Sequence, residues 1–335
     1  MSRAGALLLA ALGLGALALV AVGLPALFND YMVRVVIVMC INTILVVSMG
    51  IGNGFTGVFS LGHVGFVAVG AYASGILSLT PAAKSAYLPD LSAWLAGWDL
   101  GFLPATVAAG LICVVLALLV GAPLMRLSGH FVSVATLGFL IIVNVVLVNA
   151  DSVTRGARTF TGVPLETTLP WALGWLALCL AVVARIVYSP KGRAYRAVRE
   201  DTIAAQAIGI DVLPTRLSAF VVGAFFAGVG GSLYGHYLGS FSPASFYFAY
   251  TFALISMLVI GRMQSLTGTV VGVVLVTLLS EVLRNLERGF ALGPFEVPSL
   301  YGASQIVLGI IFILIMIFRP SGMTGDLELT LGRRR

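Results

Sequence analysis

Between Gly50 and Gly65 the chain reads G-I-G-N-G-F-T-G-V-F-S-L-G-H-V-G, and four side chains in it, Asn53, Phe55, Ser60 and His63, have the chemistry to handle a small polar molecule. An amide and a hydroxyl both donate and accept, an imidazole does one or both, and a phenyl ring offers an apolar face. Backbone dipoles freed by the glycines would add to them. Such a lining suits a zwitterion with an aliphatic tail, whose two charges can meet helix ends and amides without an ionised side chain. Glycines at 50, 52, 54, 57, 62 and 65 argue against an ordinary helix, since each costs about 1 kcal/mol relative to alanine. Two readings stay open. One is a broken helix at membrane depth, where irregular backbone survives only against protein or a wet cavity; the other is a glycine-rich turn at the membrane surface.

A second stretch, Ser189 to Arg216, reads S-P-K-G-R-A-Y-R-A-V-R-E-D-T-I-A-A-Q-A-I-G-I-D-V-L-P-T-R. It predicts a helix over 193–208 with Ala197, Ile203, Ala204 and Ala207 on an apolar face, ended by Gly209 and kept from resuming early by Pro214. A basic loop lying against anionic lipid headgroups is the plain alternative. The small face made by Ala204, Ala205 and Ala207 is better explained by a helix seated in a partner's groove.

Other chemistry is missing. There is no H-E-x-x-H pair and no G-x-S-x-G elbow. The two lysines, Lys84 and Lys191, follow Ala82-Ala83 and Ser189-Pro190, so no phosphate-binding loop of the G-x-x-x-x-G-K type exists. The chain is read as no enzyme, and ATP, if it drives this protein, must be hydrolysed by another chain. Cys40, Cys113 and Cys179 share no short spacing and read as small core hydrophobes rather than metal or redox groups. His63 and His236 stand near span ends and read first as hydrogen-bonded core histidines.

The elements that must position these residues are membrane helices. Of 335 residues, 59% are hydrophobic and 10% charged, against about 25% charged in soluble domains. Runs of about 20 apolar residues suit helices crossing about 30 Å of hydrocarbon. An alternating barrel pattern is not seen. About ten spans are predicted, near 4–28, 31–50, 62–79, 103–122, 131–149, 171–188, 217–238, 246–260, 267–283 and 301–318, making an all-α polytopic protein with one glycine-rich broken segment. The whole chain, 1–335, reads as one transmembrane domain, with 189–216 as a cytoplasmic loop and 319–335 as a cytoplasmic tail. Basic residues such as Arg126, Lys191, Arg193, Arg196, Arg199 and Arg262 fall on one side of this topology, which predicts both termini in the cytoplasm. In the seventh span Ala219, Gly223, Ala227, Gly231 and Gly235, with Gly228 and Ser232 beside them, form a small-residue stripe for close helix packing, within the chain or against a partner. No Asp, Glu, Lys or Arg lies near the middle of a span; Arg34, Arg185 and Glu281 lie near span ends, where they can snorkel or meet water. That weakens ion-coupled transport, which usually keeps ionisable groups at depth.

The run G-x-F-S-L-G-H-x-G-F-x-A-x-G-A-Y, Gly57 to Tyr72, resembles the signature of permeases of branched-chain amino-acid ABC importers, as does G-R-A-x-R-A-x-R-E-D-x-I-A-A-x-A-x-G-I, Gly192 to Ile210. Together with the terminal F-R-P-S-G, Phe318 to Gly322, they resemble the LivM-type member of the permease pair. The resemblance implies a second homologous permease, two cytoplasmic ATPases that bind ATP and Mg, and a periplasmic substrate-binding protein, with no cofactor in this chain. It also implies a bacterial inner-membrane location, and contact with an ATPase around Glu200, Asp201, Ala204, Ala205 and Gly209. One departure is G-R-M-Q-S-L-T-G, Gly261 to Gly268, with Arg262 and Met263 where the family is usually glycine-rich. Relatives that move urea and short amides keep those solutes as an alternative to small neutral amino acids, and an ion-coupled secondary transporter is the other.

Overall fold

The computed structural model of the chain describes residues 29–127, 129–287, 290–292, 295–297, 302–318 and 323. The expected first span at 4–28 and all of the terminal tail but Met323 lie outside them. Every other expected span carries a helix. They are α1 (Asp30–Gly50), α2 (His63–Ser78), α5 (Phe102–Leu124), α6 (His130–Asn149), α8 (Leu169–Val187), α11 (Val212–Leu238), α12 (Phe248–Gly261), α13 (Leu266–Glu287) and α14 (Ala303–Phe318). Short pieces complete the order: α3 (Pro81–Tyr87), α4 (Ala93–Ala96), α7 (Asp151–Thr154), α9 (Pro190–Glu200) and α10 (Thr202–Ala207). Among the described residues seven helical segments are long and apolar enough to cross a membrane, and α2 with α3, bent by 118° at Leu79–Thr80, makes an eighth.

Local chemistry sets the ends. Asn29 accepts from the Met32 amide at 3.1 Å and starts α1. Gly239, at φ 69°, closes α11 by donating to the Gly235 carbonyl, a left-handed cap that glycine adopts without strain. Beyond these ends, two short antiparallel pairings tie loops together: β1 (Phe160–Thr161) with β2 (Ser240–Phe241), and β3 (Phe290–Leu292) with β4 (Phe295–Val297).

The long α11 is the axis of the core, with α2 and α5 packed along it and α1 on another side. The small-residue stripe makes this possible inside the chain itself: a Cβ on Gly231 would overlap the Val67 carbonyl of α2, and one on Gly228 would press on Cys113 Sγ of α5 at 2.7 Å. Thr106 and Ser232 hydroxyls meet at 2.8 Å in the same seam. With no hydrophobic drive between helices in lipid, close backbone contact of this kind is what holds them. The outer faces of α5 and α6 expose Leu119, Phe131, Val134 and Ile142, a surface suited to hydrocarbon rather than water.

Candidate functional site

The glycine-rich segment is the continuation of α1. Ile51–Phe55 form one π-helical turn, and Thr56–Gly62 then run irregularly into α2. Most of the segment is buried against the rest of the protein, as irregular backbone continuing a membrane helix requires. Gly54 lies so close to the loop after α12 that a Cβ there would overlap the Met263 carbonyl oxygen. In that loop Arg262 takes φ 105°, a conformation that favours glycine. The glycine-type turn implied by the resemblance is therefore kept, with an arginine in it.

Asn53 folds the break back on itself: its Oδ1 accepts from the Ser60 amide at 3.0 Å and its Nδ2 donates to the Ser60 carbonyl at 3.2 Å. His63 Nε2 meets Ser48 Oγ at 3.0 Å, and that hydroxyl also donates to the Leu45 carbonyl. Asn53, Ser60 and His63 thus meet around a cavity of only about 10 Å³, shared with Thr56, Gly223 and Arg216, room for about one water. Phe55 is buried nearby but does not line it. Arg216 Nε, on its wall, has no hydrogen-bond partner among the described residues. The other histidine, His236, is bonded at both ring nitrogens, to Ser78 Oγ and the Ser232 carbonyl, and belongs to the core.

The stretch 189–216 is two helices rather than the single helix expected over 193–208. Asp201 breaks it, accepting from the amides of Ile203 and Ala204 at 2.8 and 3.0 Å, as a cap for α10. Aspartate satisfies free amides better at a helix start than within a helix. Gly209, at φ 85°, ends α10 as expected, with the Ile210 amide bonded to the Ala205 carbonyl. Ala205 faces inward, correcting its place on the outer apolar face, whereas Ile203, Ala204, Ala207 and Ile208 are exposed. Glu200 is exposed and paired with Arg199.

This hairpin of helices sits directly on the break. Arg199 Nη1 donates to the Gly54 carbonyl at 3.2 Å. Gly57, at φ 70°, leaves the space for that side chain: a Cβ there would lie 2.8 Å from Arg199 Cγ. Tyr195 and Ser218 hydroxyls meet at 2.9 Å, joining α9 to α11. A groove of about 510 Å³ beside the contact is lined by Gly57, His130, Arg199, Glu200 and Asp201.

At the opposite end of α1 and α11 lies a cavity of about 470 Å³ that reading the sequence missed. Its α1 residues, Tyr31, Arg34, Val38 and Asn42, continue at helical spacing into Met49 and Asn53 of the small cavity, so both cavities share one face of α1. Between them Gly230 is packed on Leu45, while Gly223, on the wall of the small cavity, lies against the Ser48 carbonyl. Glu281 and Arg284 come from α13, and Tyr234, Tyr237 and Tyr250 complete a polar rim over Met257. Tyr31 donates to Glu281. Tyr250 donates to Asn42 Oδ1 at 3.0 Å and stacks on Tyr234 with ring centres 5.4 Å apart. The only sequence signal was the position of Arg34 and Glu281 near span ends; their shared cavity depends on helices far apart in the chain, joined where Tyr31 meets Glu281, 250 positions on.

Comparison with known proteins gives a consistent picture. Residues 31–316 match the family described as "Branched-chain amino acid transport system / permease component". The chain is 28% identical to the high-affinity branched-chain amino acid transport system permease protein LivM of Salmonella typhimurium, over 92% of this chain and 73% of the relative. Its identity to the LivM protein of Escherichia coli K12 is 27%, with the same coverage. The high-affinity branched-chain amino acid transport system permease protein LivH of Salmonella typhimurium is 30% identical over 48% of this chain and 47% of the relative. No solved structure matches.

Proposed function

This chain belongs to the family of permease components of branched-chain amino acid transport systems, and from that premise we infer that it is the membrane-spanning permease subunit of an ATP-driven ABC importer for branched-chain or other small neutral amino acids. A second, homologous permease completes the pathway, two ATPases dock on α9 and α10, and a soluble binding protein delivers solute to the opposite side. The protein lies in the bacterial inner membrane with the Gly54 end in the cytoplasm. Arg126, Lys191, Arg193, Arg196, Arg199 and Arg262 all gather at that end, which supports the orientation.

The observation that carries the coupling is the hydrogen bond from Arg199 to the Gly54 carbonyl. A segment with an exposed apolar face for a partner is held by this bond to the backbone of the break, and by Tyr195 to α11. Movement imposed on α9 therefore reaches both helices that line the small cavity. The π turn at Ile51–Phe55 is a place where a helix can shift by a residue, and such turns concentrate at functional sites. In the described state the Asn53–Ser60 clamp closes the cytoplasmic end while the opposite end holds open space. Pulling α9 away would unseat Gly54, part the clamp and let solute pass.

Reconstitution in proteoliposomes with the second permease, the ATPases and the binding protein tests this. Leucine uptake should need both ATP and the binding protein, and should ignore imposed ion gradients. Gradient-driven uptake without ATPases would make the protein a secondary transporter. Accessibility reporters should place 190–200 inside and 84–95 and 155–165 outside; the reverse would overturn the orientation.

A further inference from the structure

We propose that the large cavity is itself a recognition site for zwitterionic α-amino acids, in which Arg34 and Arg284 take the carboxylate, Glu281 takes the ammonium, and the aliphatic side chain lies toward Val38, Ala253 and Met257. The proposal rests on the importer reading and adds that the permease, and not its binding protein alone, selects the solute.

Four observations carry it. Charges of both signs line one cavity of about 470 Å³. Glu281 Oε2 and Arg284 Nη1 form an i,i+3 ion pair at 3.8 Å, too long for a hydrogen bond. Each therefore keeps hydrogen-bonding positions for a ligand, and the separation suits the adjacent ammonium and carboxylate of one amino acid. Arg34, from α1, is exposed in the same cavity and has no side-chain hydrogen bond or ion pair among the described residues. Thr277, 8% exposed and lining the same cavity, has a hydroxyl with no partner among the described residues. A buried hydroxyl without a partner is uncommon and calls for an explanation; a bound solute or its water supplies one. Tyr31, by donating to Glu281 Oε1, holds that carboxylate in place, and Oε2, in a long ion pair with Arg284, can still accept from an ammonium.

Recognition by opposite charges makes a sharp demand. Leucine satisfies both halves. Leucinamide has the ammonium without the carboxylate, 4-methylpentanoate the carboxylate without the ammonium, and urea neither. The site should therefore exclude short amides even though they fit the volume.

The test is protection of a reporter thiol in the full importer held in nanodiscs. Cys40, Cys113 and Cys179 are all buried, so a water-soluble thiol reagent meets little background. Ala253→Cys places a thiol in the cavity, with Val35→Cys as a second reporter on the facing wall. At about 10 mM leucine, a site with Kd near 1 mM is about nine-tenths filled, so labelling should slow about tenfold. Leucinamide, 4-methylpentanoate and urea at the same concentration should leave it unchanged. Glu281→Gln and Arg34→Gln should each weaken leucine protection about tenfold or more, as loss of a charge-assisted contact does. Arg34→Lys should keep much of it. Arg34 is exposed, so its variants fold even if those at Glu281 do not. Equal protection by leucine and urea, no protection at either reporter, or full protection in Arg34→Gln would overturn the site. ATP-driven leucine uptake in the same preparation separates the two claims: uptake without protection leaves the importer reading standing and removes this one.

Discussion

The two ends of the α1–α11 pair use one helix face in opposite ways. At the Gly54 end the face is built of small residues and backbone, with Asn53 bonded twice to Ser60 and His63 bonded to Ser48, around a space of about 10 Å³. At the Tyr31 end the same face carries Arg34 and Asn42 opposite tyrosines and Glu281, around about 470 Å³. One end spends most of its polar groups on itself, Arg216 Nε excepted, and the other leaves several for a visitor. On the proposed importer reading, that difference separates a seal, where a rearrangement must be driven, from a vestibule, where a solute can bind without work being done.

The sharpest way to break the contrast is to add bulk at each end. Gly54→Leu drives a side chain into the Met263 carbonyl, an overlap relieved only by backbone movement costing about 1–3 kcal/mol or more. Leucine uptake should be abolished with ATPase docking retained, as co-purification would show. Gly57→Leu should instead damage both, because it also evicts Arg199. The same enlargement at Ala253 has the open vestibule to enter and should leave a folded, docked complex. Normal uptake in Gly54→Leu would mean that the break is not the seal.

Ala204→Arg comes next. Ala204 is exposed on α10, so folding should change by no more than about 0.5 kcal/mol, yet a cation would be forced into the proposed apolar contact with an ATPase. Docking should fail, or the ATPases should turn over without uptake, while leucine still protects a vestibule thiol. Wild-type docking together with wild-type uptake would place the coupling contact elsewhere.

A smaller effect is expected from Arg199→Gln, which removes the donor to the Gly54 carbonyl. A charge-assisted bond of about 1.5–3 kcal/mol is lost, and leucine imported per ATP hydrolysed should fall about tenfold with ATPase activity preserved. An unchanged ratio would show that movement reaches the break by another path. The smallest change should come from Tyr250→Phe, which deletes one bond to Asn42 worth about 1 kcal/mol. Uptake should fall only a few-fold, and a loss as large as that of Gly54→Leu would make the vestibule floor part of the seal.

Much of the α9–α10 segment was legible in the sequence. Gly209 ends its helix at a positive φ, and the exposed faces of Ala204 and Ala207 follow the reading of the residues. The break at Asp201 was not anticipated, because the good helix formers on either side outweigh Asp201 and Thr202, and only the capped amides of Ile203 and Ala204 show aspartate acting as an N-cap. Lys84 gives a similar lesson. In sequence it marks a loop, but in the structure it is buried and holds the carbonyls of Leu95 and Trp98.

By itself the sequence determined that this is a bundle of membrane helices, that one of them breaks near Asn53, and that no nucleotide-binding loop of the G-x-x-x-x-G-K type is present. Those features are local: composition, glycine density and short motifs act within a few residues. Only the tertiary structure decided which face of α1 is wet, that the small-residue stripe of α11 is spent inside the chain, and that Arg34 shares a cavity with Glu281 and Arg284. The reason is physical. In a soluble helix one polar face announces the direction of water, but in lipid the surroundings of a helix are as apolar as its packed side. Along α1 and α11 the apolar pattern therefore runs all round, and orientation is fixed by which neighbouring helices come close enough to touch.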